Sequence, residues 1–396
     1  MRAPLNLAEL LPGEENLFSS AAYFQDSWSL LFLGLIAGIG ALVAIHAWGY
    51  FREVSQRAKF YTVFFPFALA MAGVVSFNHV LLVFIAWEAT SVLSYFLITF
   101  KGEGAAARRG GQQSLLITGL GGLCLLGGFL LLGMSEGVWT LSSAAQVNLA
   151  SNPYGGWIAV LILIGAMTKS AQFPFHFWLS GAMTAPTPAS AYLHSATMVK
   201  AGIYLMYRLW PMLSTIEAVP GVVFTLGFMT FGWGAFVSLL QLDLKGVLAG
   251  TTVAHLGLMT AMIAWPDHDL TKALFALVLA HASYKAGLFL FSGVVEKLSG
   301  TRRIDLMNGL RREAPLMFLL GLVLAGASLG LPGTLAYHAK GLIHLPMIWK
   351  AALTLGFLIL AKAGLLVAVR PFLGQSANEP KETKSGLHLM WIPPLL

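Results

Sequence analysis

The sequence predicts an all-helical polytopic membrane protein with about eleven transmembrane helices. Three observations support this fold class: 57% of the 396 residues are hydrophobic, only 10% are charged, and long apolar runs recur from end to end. A soluble domain of this length could not bury so much apolar surface. The net charge of +7 does not indicate nucleic-acid binding, because the basic residues lie in short segments between apolar runs.

The predicted spans are apolar runs of about 20 residues, long enough to cross a hydrocarbon core of about 30 Å. They lie at 28–50, 60–78, 80–100, 113–133, 156–178, 183–208, 219–240, 246–264, 270–294, 315–346 and 349–372. A further helix is predicted to begin within the last nine residues, HLMWIPPLL.

The charges of the loops predict the orientation of the chain. The segments 51–59, 101–111 and 296–313 are basic and fall on one side of the predicted spans, which the positive-inside rule assigns to the cytoplasm. The N-terminus is then expected outside, and the membrane is expected to be a bacterial-type inner (plasma) membrane. Arg208 is the one clear exception to this charge pattern.

Ionisable residues lie within the predicted spans, where a lysine at mid-membrane costs roughly 2.5–3.5 kcal/mol. They are Glu88, Lys169, His194, Lys200, His281, Lys285 and Lys340. A lysine close to the end of a span can snorkel to the interface, and a glutamate can form a purely structural ion pair with a lysine. That pair shares its geometry with a functional pair, so only titration behaviour separates the two.

Buried lysines suit proton transfer. Burial lowers the pKa of an amine towards the physiological range, and a nearby carboxylate raises that pKa again. A buried lysine whose acidic partner approaches and retreats therefore binds and releases a proton. His281 lies four residues before Lys285 and hence on the same helix face, which favours a joint function.

Two predicted spans contain helix breakers next to a lysine. Pro174 follows Lys169, and the pair Pro332 and Gly333 precedes Lys340. A broken transmembrane helix frees backbone groups that must face protein or water, so each break predicts a hydrated cavity at bilayer depth.

The two broken spans are five spans apart, which indicates an internal duplication. The predicted segments are 1–57 with the first helix, two five-helix repeats at 58–212 and 216–374, and a C-terminal tail at 375–396. An odd number of helices in each repeat would make the two copies inverted relative to each other.

Four segments resemble the proton-conducting antiporter-like family shared by complex I, membrane-bound hydrogenases and Mrp-type cation/proton antiporters. They are WEATSVLSYFLI (87–98), TKSAQFPFHFWLSGAMTAPTPASAYLHSATMVKAGIYL (168–205), LDLKGVLAGTTVAHLG (242–257) and HASYKAGLFLFSG (281–293). The longest looks most like the large A-type component of an Mrp antiporter, with the large antiporter-like L-type component of complex I slightly further off. By the family's helix order, the chain would begin at the third helix and end before the last.

The resemblance implies roles for individual residues. Glu88 matches the family carboxylate that pairs with the lysine of the first broken helix, here Lys169. His194 and Lys200 match the next helix, whose polar groups link the half-channels. Lys245 matches the lysine of the family's D-x-K motif.

The second half of the chain supplies the remaining roles. His281 and Lys285 match the central relay of the family, and Lys340 matches the terminal lysine of the second broken helix.

The sequence also departs from the family pattern. Ser180 replaces the proline of the W-L-P motif, and Gly250 and His255 replace the tyrosine and the glutamine of A-Y-S-T-x-S-Q. An acid commonly follows the terminal lysine, whereas Gly341 follows it here, which puts the outer exit of the relay in question.

The leading hypothesis is a proton-translocating subunit of a multisubunit Na⁺/H⁺ antiporter, working with other membrane subunits, protons, Na⁺ and the lipid bilayer. The alternative is the proton-pumping subunit of a redox complex that oxidises NADH, formate or hydrogen, or that takes up carbon dioxide. A scaffold with an inactive relay is a third possibility. The chain is not expected to be an enzyme by itself or to hold a cofactor or metal, and the glycine-rich run 119–128 is expected to serve helix packing.

Overall fold

The computed structural model describes residues 26–100, 104–265, 268–343 and 346–374. Within these residues the regular elements are helices, accompanied by two isolated β-bridges, so the predicted all-helical fold class is confirmed. The helices are α1 (Ser27–Tyr50), α2 (Val54–Ser76), α3 (Val80–Ile98), α4 (Ala105–Glu136), α5 (Leu141–Ala144), α6 (Gly155–Lys169), α7 (Phe177–Gly181), α8 (Thr187–Ala191), α9 (Met198–Leu213), α10 (Ala218–Leu240), α11 (Leu244–Ala264), α12 (His268–Ser299), α13 (Pro315–Leu329), α14 (Leu335–Gly341) and α15 (Met347–Ala368).

Eight helices in the described part of the chain are long and apolar enough to cross a membrane. They are α1, α2, α3, α4, α10, α11, α12 and α15. The other three predicted spans are each assembled from shorter pieces: α6 with α7, α8 with α9, and α13 with α14. The chain is therefore a multi-pass membrane protein.

The basic segments between spans are more helical than predicted. α2 begins at Val54, so Arg57 and Lys59 lie on the helix and not in a loop, and α4 begins at Ala105 and includes Arg108. Arginine and lysine are good helix formers, so a helix continues past the point where the apolar run ends. Hydropathy locates the apolar run but not the end of the helix.

Glycines let neighbouring helices pack with their backbones in near contact. A Cβ built on Gly121 of α4 would lie 1.8 Å from Thr168 Oγ1 of α6, and one built on Gly257 of α11 would lie 2.4 Å from the backbone nitrogen of Phe231 of α10. A side chain at either position would push the helices apart. The run 119–128 therefore serves helix packing, as the sequence suggests.

Both predicted helix breaks are present. α6 ends at Lys169, before Pro174, and the indole nitrogen of Trp178 donates a 2.9 Å hydrogen bond to the freed carbonyl of Thr168. α13 ends just before Gly330, whose φ of 76° lies in the left-handed region that favours glycine. At the first break, the Thr168 carbonyl is thus satisfied within the bundle.

A third irregularity was not predicted from the sequence. The expected continuous span 183–208 is divided into α8, a π-helical turn at Tyr192–Ala196, and α9. At this turn the Thr197 hydroxyl donates to the Tyr192 carbonyl at 2.7 Å, so a side chain takes an acceptor that a regular helix would use. No proline inside 192–197 signals the change.

Arg208, the exception to the charge pattern, forms an ion pair. Its guanidinium donates to Asp26, the N-cap of α1, through both terminal nitrogens, and Nη2 also donates to Ser29 Oγ at 2.7 Å. The side chain stacks 5.1 Å from the ring centroid of Tyr204. Arg208 thus ties α9 to α1, a structural role that explains its place outside the basic loops.

The helix α11 lies at the centre of the bundle. Twenty of its 21 residues are buried, the exception being the half-buried Gly246, and it packs against α9, α10, α12 and α15. The repeat boundaries 58–212 and 216–374 stay a prediction, as does the outside N-terminus. The tail at 375–396 lies outside the described residues.

Candidate functional site

Lys169 occupies the last position of α6 and is fully buried. Its amine donates to the Trp87 carbonyl at 2.9 Å and to Ser91 Oγ at 2.7 Å, and it lies 5.0 Å from the centroid of the Trp87 ring. All three contacts come from α3 and all are neutral. The amine is therefore held inside the bundle without a charged atom in hydrogen-bond contact.

Glu88 lies next to Trp87 on α3, but its carboxyl group faces α4. A Cβ built on Gly122 would lie 1.8 Å from Glu88 Oε1, which shows how closely the carboxyl packs against this glycine. Oε1 is buried and has no hydrogen-bond partner among the described residues. No ion pair within 4.0 Å joins Glu88 to Lys169 in this part of the chain, although the two groups lie within electrostatic range. The direct Glu88–Lys169 ion pair that the resemblance implies is thus not formed in this structure.

His194 lies in the irregular turn between α8 and α9, Lys200 lies in the first turn of α9, and both are fully buried. The amine of Lys200 donates to the carbonyl of Ser195. Neither ring nitrogen of His194 has a partner within the described residues, and its ring lies 6.4 Å from Trp178 and 6.1 Å from Phe289. The turn and the start of α9 therefore present two polar groups to the interior.

Lys245 lies in the first turn of α11, next to the N-cap Asp243. Its amine donates to the Ala185 carbonyl at 2.8 Å, and Asp243 forms a 2.7 Å ion pair with Arg302. His194 lies within electrostatic range of Lys245. The D-x-K lysine is thus at a helix end, beside the predicted basic segment 296–313.

Lys285 and His281 lie one turn apart on α12, with exposures of 1% and 0%. The Lys285 amine donates to the Leu248 carbonyl at 3.1 Å and to Thr251 Oγ1, both on α11. The ring nitrogens of His281 have no partner among the described residues, and Lys200 lies within electrostatic range of both His281 and Lys285. The central cluster therefore joins α9, α11 and α12.

Sequence reasoning did not assign a role to His255, which also belongs to this cluster. Its ring centroid lies 4.9 Å from that of His281, and its Nε2 is 2.8 Å from the Tyr284 hydroxyl. The signal in the sequence was the departure from the family's glutamine at this position.

Lys340 lies on α14, just after the second helix break. Its amine donates to the Leu329 carbonyl at 2.8 Å and lies 4.3 Å from the centroid of the Phe357 ring. A cavity of about 10 Å³ is lined by Thr251, Lys285 and Ser328 among others, and the Ser328 carbonyl lies 3.5 Å from the Lys340 amine. That volume is enough for about one water molecule.

The predicted site residues therefore fall into three groups within the described residues. Glu88 and Lys169 lie between α3, α4 and α6. His194 and Lys245 lie within electrostatic range of each other near the start of α11. The third group is Lys200, His281 and Lys285, which His255 joins, and Lys340 lies next to Ser328 of the small cavity. A backbone contact links α6 of the first group to α9, because a Cβ built on Gly202 would lie 2.1 Å from the Ala166 carbonyl oxygen.

Comparison with known proteins decides the family. Residues 77–366, more than two thirds of the chain, match the transmembrane family described as NADH:quinone oxidoreductase/Mrp antiporter. The chain belongs to this family. It is 41% identical over 310 residues to the A/B subunit of a probable K⁺/H⁺ antiporter of Rhizobium meliloti, and 39% identical over 325 residues to the A1 subunit of a Na⁺/H⁺ antiporter of Staphylococcus aureus.

A solved structure shows the same fold. The Mrp complex from Dietzia sp. DQ12-45-1b contains a chain that is 33% identical to this one, with a TM-score of 0.81 over 93% of the present chain. The sequence match covers 78% of this chain but only 31% and 40% of the two antiporter subunits, and the structural match covers 42% of the Mrp chain. The chain therefore spans less than half of the length of these relatives.

Proposed function

We propose that this chain is the proton-translocating subunit of a multisubunit monovalent-cation/H⁺ antiporter, with Na⁺ as the exchanged cation. The family match, the names of the two curated relatives and the Mrp complex of similar fold support this proposal. Other membrane subunits of the complex are its partners, and the cytoplasmic (plasma) membrane is its location.

The proposed route follows the buried groups in order. Protons enter a hydrated half-channel near Lys169, move laterally past His194 and Lys200 to Lys285, and leave near Lys340. Water between such groups completes a relay of this kind in membrane proteins. Lys200 lies within electrostatic range of Lys285, and Ser328, which lines the small cavity beside Lys285, accepts from Lys340; both observations support the second half of this route.

The observation that carries the proposal is the environment of Lys169. Its amine is fully buried at the end of a broken helix and is held by neutral groups, while the Glu88 carboxyl on the adjacent helix faces Gly122. A carboxylate that approaches a buried amine stabilises its charged form, and a carboxylate that retreats favours proton release. Rotation of the Glu88 side chain towards and away from Lys169 therefore gates proton transfer.

The test is cation-dependent proton flux in vesicles that contain the whole complex. Lys169→Ala and Glu88→Ala should each reduce Na⁺-driven proton flux by at least about 100-fold, the lower range for loss of a proton-transfer group. Lys362→Ala is the matched control, because this lysine is exposed on α15 and should leave flux unchanged. Unaltered exchange in both variants, at normal amounts of assembled complex, would refute the relay and favour a scaffold.

The same vesicles test the identity of the cation. The two curated relatives are named for different cations, K⁺ and Na⁺. Proton flux that responds to a Na⁺ gradient and not to an equal K⁺ gradient supports the proposal, and the opposite response would assign K⁺ to the complex instead.

The family description also names NADH:quinone oxidoreductase, which keeps a second function open. In that case the chain would pump protons for a redox complex whose cofactors belong to partner subunits. Proton flux driven by NADH and quinone in the absence of any cation gradient would favour this alternative over antiport.

A further inference from the structure

A groove on the side of the bundle is open to the surrounding membrane. It has a volume of about 380 Å³ and lies between α1, α12, α13 and α14. Val323 of α13 and Leu335 of α14 line it and are 68% and 49% exposed, and Ser283 of α12 is exposed as well. The volume lies within the range of about 300–1,000 Å³ that is typical of ligand sites. None of the ionisable residues of the proposed route lines this groove among the described residues.

The lining of the groove suits hydrocarbon. Its polar side chains, among the residues that the structure describes, are Ser283, Tyr284 and Thr334. Each is already hydrogen-bonded within the chain: Ser283 and Thr334 donate to backbone carbonyls of the preceding turn at 2.9 and 2.8 Å, and the Tyr284 hydroxyl is bonded to His255. A polar ligand would give up hydrogen bonds to water and gain few in return, whereas a hydrocarbon chain gives up none. The occupant is therefore apolar where it lies in the groove.

The groove lies at the depth of one membrane leaflet. The helix α12 has 32 residues, about twelve more than are needed to cross a hydrocarbon core of about 30 Å. If the helix is centred in the membrane, its groove-lining residues run from Ala280, near the mid-plane, to Leu290, about 10 Å towards the end that carries Lys297. Lys297 itself then lies among the lipid headgroups. The groove thus follows the acyl chains of a single leaflet.

Basic side chains lie where the helices around the groove reach the headgroups. Lys297 near the end of α12 donates to the carbonyl of Tyr50, the last residue of α1, so the two helices end side by side. Arg311 and Arg312 directly precede α13 and are exposed. Two segments at this end carry eight basic and four acidic residues, and they are 51–59 and 296–313. This end of the groove therefore attracts anionic headgroups.

We propose that the groove binds a membrane phospholipid with an anionic headgroup. One acyl chain lies between α1, α12 and α13, and the phosphate lies beside Arg311 and Arg312. The rest of the bilayer is as apolar as the groove, so the headgroup contact supplies most of the selectivity. Leu335 and Ala336 also line the groove, so the bound chain packs against α14, the helix that follows the second break. The site does not depend on which ion the complex transports.

The test is photolabelling of the purified whole complex in a neutral detergent. Phosphatidylglycerol and phosphatidylcholine, each with the same photoreactive acyl chain, are the two probes. In the wild type, phosphatidylglycerol should label peptides of the helices around the groove and should label them more strongly than phosphatidylcholine does. Ser283→Trp should abolish this labelling, because the indole takes the place of the acyl chain. Thr225→Trp is the matched control, because Thr225 is likewise exposed on a spanning helix, α10, and also donates to the carbonyl four residues earlier.

The double variant Arg311→Gln/Arg312→Gln tests the headgroup contact. Each basic side chain beside an anionic lipid contributes about a factor of five to binding, so the double variant should weaken phosphatidylglycerol binding about 25-fold. Binding of phosphatidylcholine should not change. The control is Arg108→Gln/Arg109→Gln, which removes a second exposed pair, at the start of α4, a helix that does not line the groove.

The outcomes separate the lipid from other occupants. Wild-type labelling in Ser283→Trp, or labelling confined to helices that do not line the groove, would overturn the inference. If Ser283→Trp does not assemble, the Arg311→Gln/Arg312→Gln variant decides, and unchanged phosphatidylglycerol binding in it overturns the inference. A wild-type complex that takes up neither lipid in the groove overturns it as well and indicates that a helix of a partner subunit fills the space.

Discussion

Gly122→Ala tests the proposed gate without touching an ionisable group. The added Cβ would lie 1.8 Å from Glu88 Oε1, whereas ordinary contacts begin at 3.4 Å, so the carboxyl must move by about 1.6 Å. The atom in the way is the end of a flexible side chain, so the helices can keep their spacing while the carboxyl turns away from α4. The neighbouring charged group is the amine of Lys169, within electrostatic range.

We expect the displaced Glu88 carboxyl to stay bound to the Lys169 amine, so that proton transfer is blocked. A hydrogen bond to a charged group is worth about 1.5–3 kcal/mol, so a Glu88–Lys169 bond that must break in each cycle should slow exchange roughly 10- to 150-fold. The assay is cation-driven proton flux in vesicles, normalised to assembled complex. Gly119→Ala is the control, because its Cβ would lie 3.8 Å from Glu88 Oε2 in ordinary contact. Equal flux in wild type and Gly122→Ala would refute the reasoning.

Two further predictions concern stability. Burial raises the pKa of Asp26, but the hydrogen bond and the charge of Arg208 outweigh this, so the pKa lies below its ordinary 3.8. The ion pair then stabilises the fold fully above about pH 4, and this stabilisation is lost as the pH falls through the lowered pKa. Asp26→Asn should therefore lower the free energy of unfolding by about 1 kcal/mol near neutral pH but not in acid. Thermal unfolding in detergent measures this difference. Gly234→Ala should cost about 1–3 kcal/mol in the same assay, because its Cβ would lie 2.4 Å from the backbone nitrogen of Ala254, while Gly232→Ala, with open space around it, should cost little. A pH-independent Asp26→Asn effect, or equal melting of the two glycine variants, would contradict these accounts.

Much of the fold could be predicted because the membrane restricts the choices. Apolar runs of about 20 residues can only be helices in a bilayer, and Pro174 and the pair Pro332 and Gly333 identify the two broken spans. The turn at Tyr192–Ala196 could not be predicted in this way. It depends on Thr197 and Lys200 side chains that bind backbone carbonyls, and such bonds leave no periodic signal.

The identities of the candidate site residues follow from the sequence, but their directions do not. A glutamate in a span next to a broken-helix lysine predicts an ion pair. The Glu88 carboxyl instead packs on Gly122, in a space beside α4 that exists only once α3 and α4 are packed together. His255 is a single departure from a family motif. Its connection to Tyr284 and Thr251 depends on how α11 and α12 meet in three dimensions.

The near-complete burial of α11 has a mechanical consequence. Asp243 caps this helix at one end and holds Arg302, while His255 lies about 18 Å further along the same rigid rod, at about 1.5 Å per residue. Any axial shift or rotation imposed on the Asp243–Arg302 corner would displace Thr251 and His255 together, with no hinge or lipid in between to absorb it. A neighbouring protein that pushed on this corner would thus have a direct linkage to the interior.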